Sequence, residues 1–224
     1  MGGLDLVFPD RREAGRALAK LLKAYENQPN VLVLGVPRGG VPVAFEVAAQ
    51  LHAPLDVFVV RKLGVPGQVE LGFGAIASGG KRFLDTSIVE AVGISKQAIE
   101  MVTESETQEL QRREQAYRGG RDPLRVAGQT VILVDDGIAT GSSMQVAITA
   151  LRELKVSRLI VAVPVAPAST CRRLRTQLDD LVCVHRPTFF HAIGEFYDDF
   201  SQVSDQEVTD LLFRNTQETA GNPA

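Results

Sequence analysis

Short apolar runs alternate with stretches of amphipathic spacing along most of this chain. A compact apolar run suits a strand buried on both faces, whereas apolar residues three and four apart suit one face of a helix. The runs at 31–34, 55–60, 131–134, 158–163 and 181–184 predict strands. Residues 10–25 predict a helix, with Asp10 as its N-cap and Leu18, Leu21 and Leu22 on one face. Residues 41–51 predict another, with Pro42 in the first turn, where a missing amide costs little. Residues 73–76 and 82–84 predict a hairpin around Ser78, Gly79 and Gly80. Helices are expected over 86–92, 95–117 and 167–177. The second of these is polar and rich in Glu, Gln and Arg, so it should pack along one edge only. Ser204 and Glu207 form a capping box for a last short helix through Val208, Leu211 and Leu212. Residues 215–224 are polar and are expected to be a disordered tail.

This alternation predicts an α/β fold: a central, mainly parallel sheet with helices on both faces. Such sheets bind ligands at the carboxyl ends of their strands. Residues 1–214 are read as one domain, with no repeats or low-complexity tracts inside it.

The sharpest chemical signal lies at one predicted strand end. Val131-Ile132-Leu133-Val134 is followed by Asp135 and Asp136, then by Gly137-Ile138-Ala139-Thr140-Gly141-Ser142-Ser143 and a helical pattern through Val146, Ile148 and Leu151. Glycines let backbone approach a ligand, and loop amides at a helix N-terminus suit an anion. Thr and Ser hydroxyls add donors. The two carboxylates would repel a phosphate, so they should face a vicinal diol.

This run resembles the phosphoribosyl-pyrophosphate (PRPP) motif of the type I phosphoribosyltransferases. The resemblance implies that Asp135 and Asp136 bind the ribose hydroxyls and serve catalysis, while Gly137, Ile138, Ala139, Thr140, Gly141, Ser142 and Ser143 wrap the 5′-phosphate. Hypoxanthine-guanine enzymes carry an acid at the position of Ala139, so the chain looks closer there to the adenine and orotate types.

Two further strand ends fit the same picture. Gly35-Val36-Pro37-Arg38-Gly39-Gly40 precedes a helix and forms a second anion cradle, or else a tight turn with a solvated Arg. It resembles the family's pyrophosphate loop, in which Pro37, Arg38, Gly39 and Gly40 would contact the diphosphate, sometimes through a cis peptide. Arg61 and Lys62 end the strand that begins at Leu55; they form a basic surface turn or, as their resemblance to an element of the adenine and orotate enzymes implies, approach the pyrophosphate. Residues 63–72 then match the family's mobile loop, with Gly64, Pro66 and Gly67 as hinges. Glu70 is the one carboxylate in that loop, either solvated or trading a proton with the base. Residues 186–203 stand where the family has a hood over the base, and the aromatics there either stack on a base or pack the hood.

The layout also resembles a poorly characterised bacterial subgroup of this family. The implied activity is transfer of the 5-phosphoribosyl group from PRPP to a nitrogenous base, with release of pyrophosphate. Mg²⁺ is the implied cofactor, held mainly by PRPP itself with no dedicated protein cage. A homodimer is implied by the family. The alternative is a regulatory protein that binds PRPP or a nucleotide without catalysis.

Composition narrows the rest. The 224 residues carry 45% hydrophobic side chains and a net charge of only −3, so nothing chain-wide attracts nucleic acid. Cys171 and Cys183 are expected to be reduced. No apolar run is long enough for a membrane span, and Met1–Leu6 lack the pattern of a secretory signal, so a cytoplasmic location is expected; a role in nucleotide metabolism is what the family resemblance implies. The run Gly72-Phe73-Gly74-Ala75-Ile76-Ala77 fits a loose dinucleotide pattern, but glycines follow where that site needs a helix. The three His lack metal-ligand spacing, and no Gly-x-Ser-x-Gly elbow occurs.

Overall fold

The computed structural model describes residues 6–121 and 124–220. Helix α1 (Arg11–Leu21) begins where the Asp10 carboxylate accepts the Glu13 amide at 2.8 Å. Strand β1 (Val31–Gly35), helix α2 (Gly40–Leu51) and strand β2 (Leu55–Val57) follow. Strands β3 (Val60–Val65), β4 (Gln68–Ala77) and β5 (Lys81–Leu84) come next, then helices α3 (Thr86–Val92) and α4 (Lys96–Arg118). The chain finishes with β6 (Thr130–Val134), α5 (Ser142–Glu153), β7 (Arg158–Val165), α6 (Ala168–Arg175), β8 (Asp180–His185) and α7 (Asp205–Ala220).

Five strands form a fully parallel sheet in the order β2-β1-β6-β7-β8. Side-chain alternation sends each central strand to both faces. Val31, Val33, Ile132, Val134, Ile160 and Ala162 pack into one core with α1, α2, α4 and α7. Leu32, Leu34, Val131, Leu133, Leu159 and Val161 pack into a second core with α5 and α6. Helices therefore cover both faces, as the alternation predicts.

The remaining strands form a separate antiparallel sheet, β3-β4-β5. This corrects the expected strand 55–60, which divides between the two sheets. The Val59 amide donates to Ser78 Oγ at 2.9 Å, and the Ser78 amide donates back to the Val59 carbonyl at 2.9 Å. This exchange ties the chain leaving the parallel sheet to the end of β4. Residues 63–72, expected as a loop, are correspondingly mostly strand: β3 and β4 pair across them, with register shifts at Gly64 and a turn at Pro66-Gly67. Arg61 and Lys62 accordingly lie inside β3 rather than at a strand end.

Helix α4 buries only Ile99, Leu110 and Tyr117, which matches one-edge packing. Arg118 anchors its end by forking onto buried Asp56 at 3.0 and 3.2 Å. The expected tail is also corrected. Helix α7 continues to Ala220 because Asn215 is buried, accepting the Leu55 amide at 2.8 Å and donating to the Ala53 carbonyl at 3.2 Å. A polar residue satisfied by strand-end backbone thus extends a helix that apolar spacing alone ends early. Residues 221–224 of that expectation lie outside the described residues. Cys171 and Cys183 are free thiols, both buried.

Candidate functional site

The carboxyl ends of β1 and β6 are neighbours, so the loops that follow them meet. The Val36 amide donates to the Val134 carbonyl at 2.9 Å, which draws the 36–40 turn over the end of β6. The Pro37–Arg38 peptide bond is cis. Glycine is required at two points here by space. A Cβ on Gly39 would stand 2.0 Å from Asp136 Oδ2, and one on Gly40 would stand 2.8 Å from the Asp135 Cα and the Val134 carbonyl. The glycine turn and the acidic pair are thus in direct contact, as two parts of one site.

The two carboxylates differ. Asp135 is half-buried, and its Oδ1 accepts the Asp136 amide at 2.9 Å. Burial, and then the neighbouring Asp136 charge, push the Asp135 carboxyl well above the usual range. Asp136 is buried, and its Oδ2 accepts Arg11 Nε at 2.9 Å. Burial raises the Asp136 carboxyl too, with Arg11 opposing the rise. Arg11 is a residue that pattern reading overlooks, because beside Asp10 it looks like ordinary first-turn polarity. Tyr197 also bears on the pair, donating its hydroxyl to the Asp136 carbonyl at 2.5 Å.

Beyond the acids, the loop is held from behind and open in front. The Ile138 amide donates to the Val165 carbonyl at 3.0 Å. Thr170 Oγ1 of α6 donates to the Ala139 carbonyl at 3.0 Å, and Arg173 donates to the Thr140 carbonyl. Ala139, Thr140, Ser142 and Ser143 remain exposed. Helix α5 opens at Gly141, in the left-handed region at φ 77°, without a side-chain cap. Its first amides and the hydroxyls of Thr140 and Ser142, 3.2 Å apart, can meet an anion.

A cleft of about 700 Å³ lies between this loop and the β3-β4-β5 sheet. Lys62, Asp85, Thr86, Ser142 and Ser143 line it. Arg61, one position earlier on β3, instead meets Glu106 of α4 at 2.6 and 2.7 Å. Arg38 reaches toward Asp205 at the start of α7, at 3.9 Å. The site therefore brings residues 37–40, Asp135, Asp136, the 137–143 loop and Lys62 together, and commits Arg61 to α4. Glu70 falls in β4, and its side chain lies outside the described residues.

The hood segment answers one question the sequence leaves open. Phe196 stacks with Phe190 at 5.5 Å and meets His185 at 5.6 Å, while Phe8 and Tyr197 pack at 5.7 Å. These aromatics build a small core of their own. Phe189 stays 78% exposed. Among the described residues, no cluster of three or more His, Cys, Asp or Glu is placed to hold a metal ion, and no helix is long and apolar enough to cross a membrane.

Comparison with known proteins bears on this geometry. Residues 10–201 match the family model described as a phosphoribosyl transferase domain. Proteins of two Mycobacterium tuberculosis strains, CDC 1551 / Oshkosh and H37Rv, carry provisional phosphoribosyl transferase names. Each is 45% identical over 208 residues, which covers 93% of this chain and 47% of theirs. The chain thus spans about half the length of the curated relatives it matches. The crystal structure of TT1426 from Thermus thermophilus superposes with a TM-score of 0.81 at 38% identity, covering 93% of this chain and 99% of that one.

Proposed function

The chain belongs to the phosphoribosyl transferase domain family, and from that premise we propose that it transfers the 5-phosphoribosyl group of PRPP to a nitrogenous base, releasing pyrophosphate. One observation carries this reading: the Gly39-Gly40 turn lies directly on the Asp135–Asp136 pair, with the Thr140–Ser143 hydroxyls and the α5 N-terminus alongside. Three anion- and diol-suited elements at neighbouring strand ends match the three parts of PRPP.

Asp135, the more open carboxylate, accepts a ribose hydroxyl, and Asp136 offers the oxygen that Arg11 leaves. The 137–143 loop and the α5 amides bind the 5′-phosphate. The 37–40 turn takes the diphosphate through its amides, with the Arg38 guanidinium beside it. Lys62 adds positive charge from the cleft wall, and Arg61 joins it only by leaving Glu106. The β3-β4 hairpin serves as the lid that keeps water from the activated sugar, and Glu70 on it exchanges a proton with the base.

Mg²⁺ supplies charge neutralisation for the leaving diphosphate. Both acidic side chains already hold protein donors, Asp135 the Asp136 amide and Asp136 the Arg11 guanidinium. That donor set suits an ion bound through the oxygens of PRPP rather than by a protein cage. The same reading places the protein in the cytoplasm, in nucleotide metabolism, acting as a homodimer on PRPP and a small-molecule base.

A second reading keeps PRPP or nucleotide binding without transfer. It is favoured by the internal pairing of Arg61 with Glu106 and of Asp136 with Arg11, which satisfies charges that transfer would use. Pyrophosphate release from PRPP and Mg²⁺, measured across a panel of purines, pyrimidines and related heterocycles, decides between them. Base-dependent release supports transfer. PRPP binding in a calorimeter with no release under any base supports the regulatory reading.

A further inference from the structure

Arg11 stands where three separate parts of the chain meet. Its Nε donates to Asp136 Oδ2 at 2.9 Å, and its Nη1 donates to the Ser201 carbonyl at 2.8 Å. Its guanidinium carbon lies 3.9 Å from the Phe200 ring centroid and 5.9 Å from that of Tyr197. The side chain is only 11% exposed and Asp136 is buried, so that ion pair is made away from bulk water and is stronger for it.

The surrounding backbone fixes the same three parts. The Phe8 amide donates to the Phe196 carbonyl at 2.8 Å, the Asp198 amide to the Phe8 carbonyl at 2.9 Å, and the Asp199 amide to the Pro9 carbonyl at 3.0 Å. The segment that leads into α1 is thereby laid along the hood. Tyr197 adds the direct link from hood to motif through the Asp136 carbonyl.

We propose that Arg11 is a positioning residue that couples the hood to the acidic pair: it holds a positive charge against Asp136, keeps that carboxylate aimed at the Gly39 turn, and holds residues 197–201 over it. The role in PRPP binding rests on the function proposed above; the coupling itself does not. One guanidinium serves both, so its loss releases the hood and removes the cation beside Asp136 at once. A lysine could supply the charge but not the planar fork that reaches Asp136 and Ser201 while stacking on Phe200.

The groups facing Asp136 set the sign of the test. They are Arg11 from α1, Asp135 from the motif, and the Tyr197 hydroxyl from the hood; Asp199 of the hood faces Arg11 instead, and Arg38 of the facing turn points to Asp205. Arg11 is the one cation among those that bear directly on the carboxylate. Without it, burial loses its main opponent and the Asp136 carboxyl must rise.

The experiment uses the full chain without ligand, as wild type, Arg11→Met and Arg11→Lys. Carboxyl-carbon NMR follows the Asp136 titration, and hydrogen exchange follows residues 197–203. In Arg11→Met the Asp136 midpoint should rise by about one pH unit or more, and exchange over 197–203 should quicken about tenfold or more while β6 stays protected. Arg11→Lys should keep the midpoint near wild type yet still quicken exchange. An unmoved midpoint in folded Arg11→Met, or unaltered exchange in both variants, overturns the coupling. Should Arg11→Met fail to fold, Phe200→Leu on the surface must quicken exchange over 197–203 with Asp136 titrating as in wild type, and unchanged exchange there overturns the proposal equally. PRPP with Mg²⁺ is then titrated into wild type. Absence of binding removes the PRPP reading while the titration and exchange results stand.

Discussion

Gly39 and Asp136 touch so closely that a methyl group on Gly39 would stand 2.0 Å from the Asp136 Oδ2 atom. The turn after β1 and the acid after β6 therefore share one space, and neither can move alone. Arg11 Nε lies 3.3 Å from the same point, so the carboxylate has no easy retreat. Gly39→Ala should cost about 1–3 kcal/mol in urea unfolding, the range for overpacking a well-filled site. It should also weaken PRPP binding at least about tenfold in calorimetry. Retention of both stability and affinity would show that the turn is not pressed onto the acid.

Asp135 should trade stability for binding. Its carboxyl is raised by burial and by Asp136, so its contribution to stability is present below the unfolded value and is lost as pH rises through the folded one. Above that window the charged form of this half-buried group is a burden on the fold. Asp135→Asn should stabilise the chain by about 1 kcal/mol at pH 7, with the gain shrinking toward pH 4. The same variant should lose about tenfold or more in PRPP affinity, as expected for a charge-assisted bond to a ribose hydroxyl. Thermal melts between pH 4 and 8 with parallel calorimetry test the opposite signs together.

Much of this site was legible because its parts are local. Residues 131–144 carry strand, acids, loop and helix start within one contiguous run, and their order along the chain is their order in space. Gly39 and Gly40 were equally readable as a close backbone approach, although what they approach is visible only after β1 and β6 pair. The misreadings share a cause. The run 55–60 is continuous in apolarity, and only the distant Ser78 divides it between two sheets. Arg61 and Lys62 point to opposite sides of β3, one to Glu106 and one to the cleft, which adjacent letters cannot reveal. Arg11, Tyr197, Thr170 and Arg173 act on the motif from far along the chain, and none has a local pattern that marks it.

The cations should divide by ligand. Arg38 flanks the proposed diphosphate turn, so Arg38→Ala should weaken PRPP more than ribose 5-phosphate. Lys62 lines the cleft beside Ser142 and Ser143, so Lys62→Ala should weaken both ligands. Arg61→Ala should mainly loosen the hairpin from α4, costing about 0.2–1 kcal/mol as expected for a partly exposed pair, with smaller effects on either ligand. A loss of PRPP affinity in Arg61→Ala equal to that in Arg38→Ala would place Arg61 in the diphosphate site instead.

Glu70 belongs to the proposed chemistry rather than to PRPP binding. With an active acceptor in hand, Glu70→Gln should lower kcat by about 10²–10⁴-fold, the usual worth of a general acid or base. PRPP affinity should stay near wild type. Unaltered kcat would remove Glu70 from the mechanism and leave the PRPP site standing.

The hood offers a contrast between two phenylalanines seven positions apart in the chain. Phe196 is 3% exposed and is enclosed by His185, Phe190 and neighbouring side chains, so it serves the hood's own core. Its removal leaves a cavity, and Phe196→Ala should cost about 3–5 kcal/mol. Phe189 is 78% exposed and belongs to none of those ring pairs. Phe189→Ala should change stability by less than about 0.5 kcal/mol, as surface substitutions usually do. If the acceptor base stacks on this ring, the same variant should raise the KM for the base about fivefold to a hundredfold, matching about 1–3 kcal/mol of base–aromatic stacking, with the KM for PRPP held. Urea melts of both variants and a two-substrate kinetic analysis of Phe189→Ala check the contrast. A Phe189→Ala protein with wild-type KM for its base would place base recognition away from this ring.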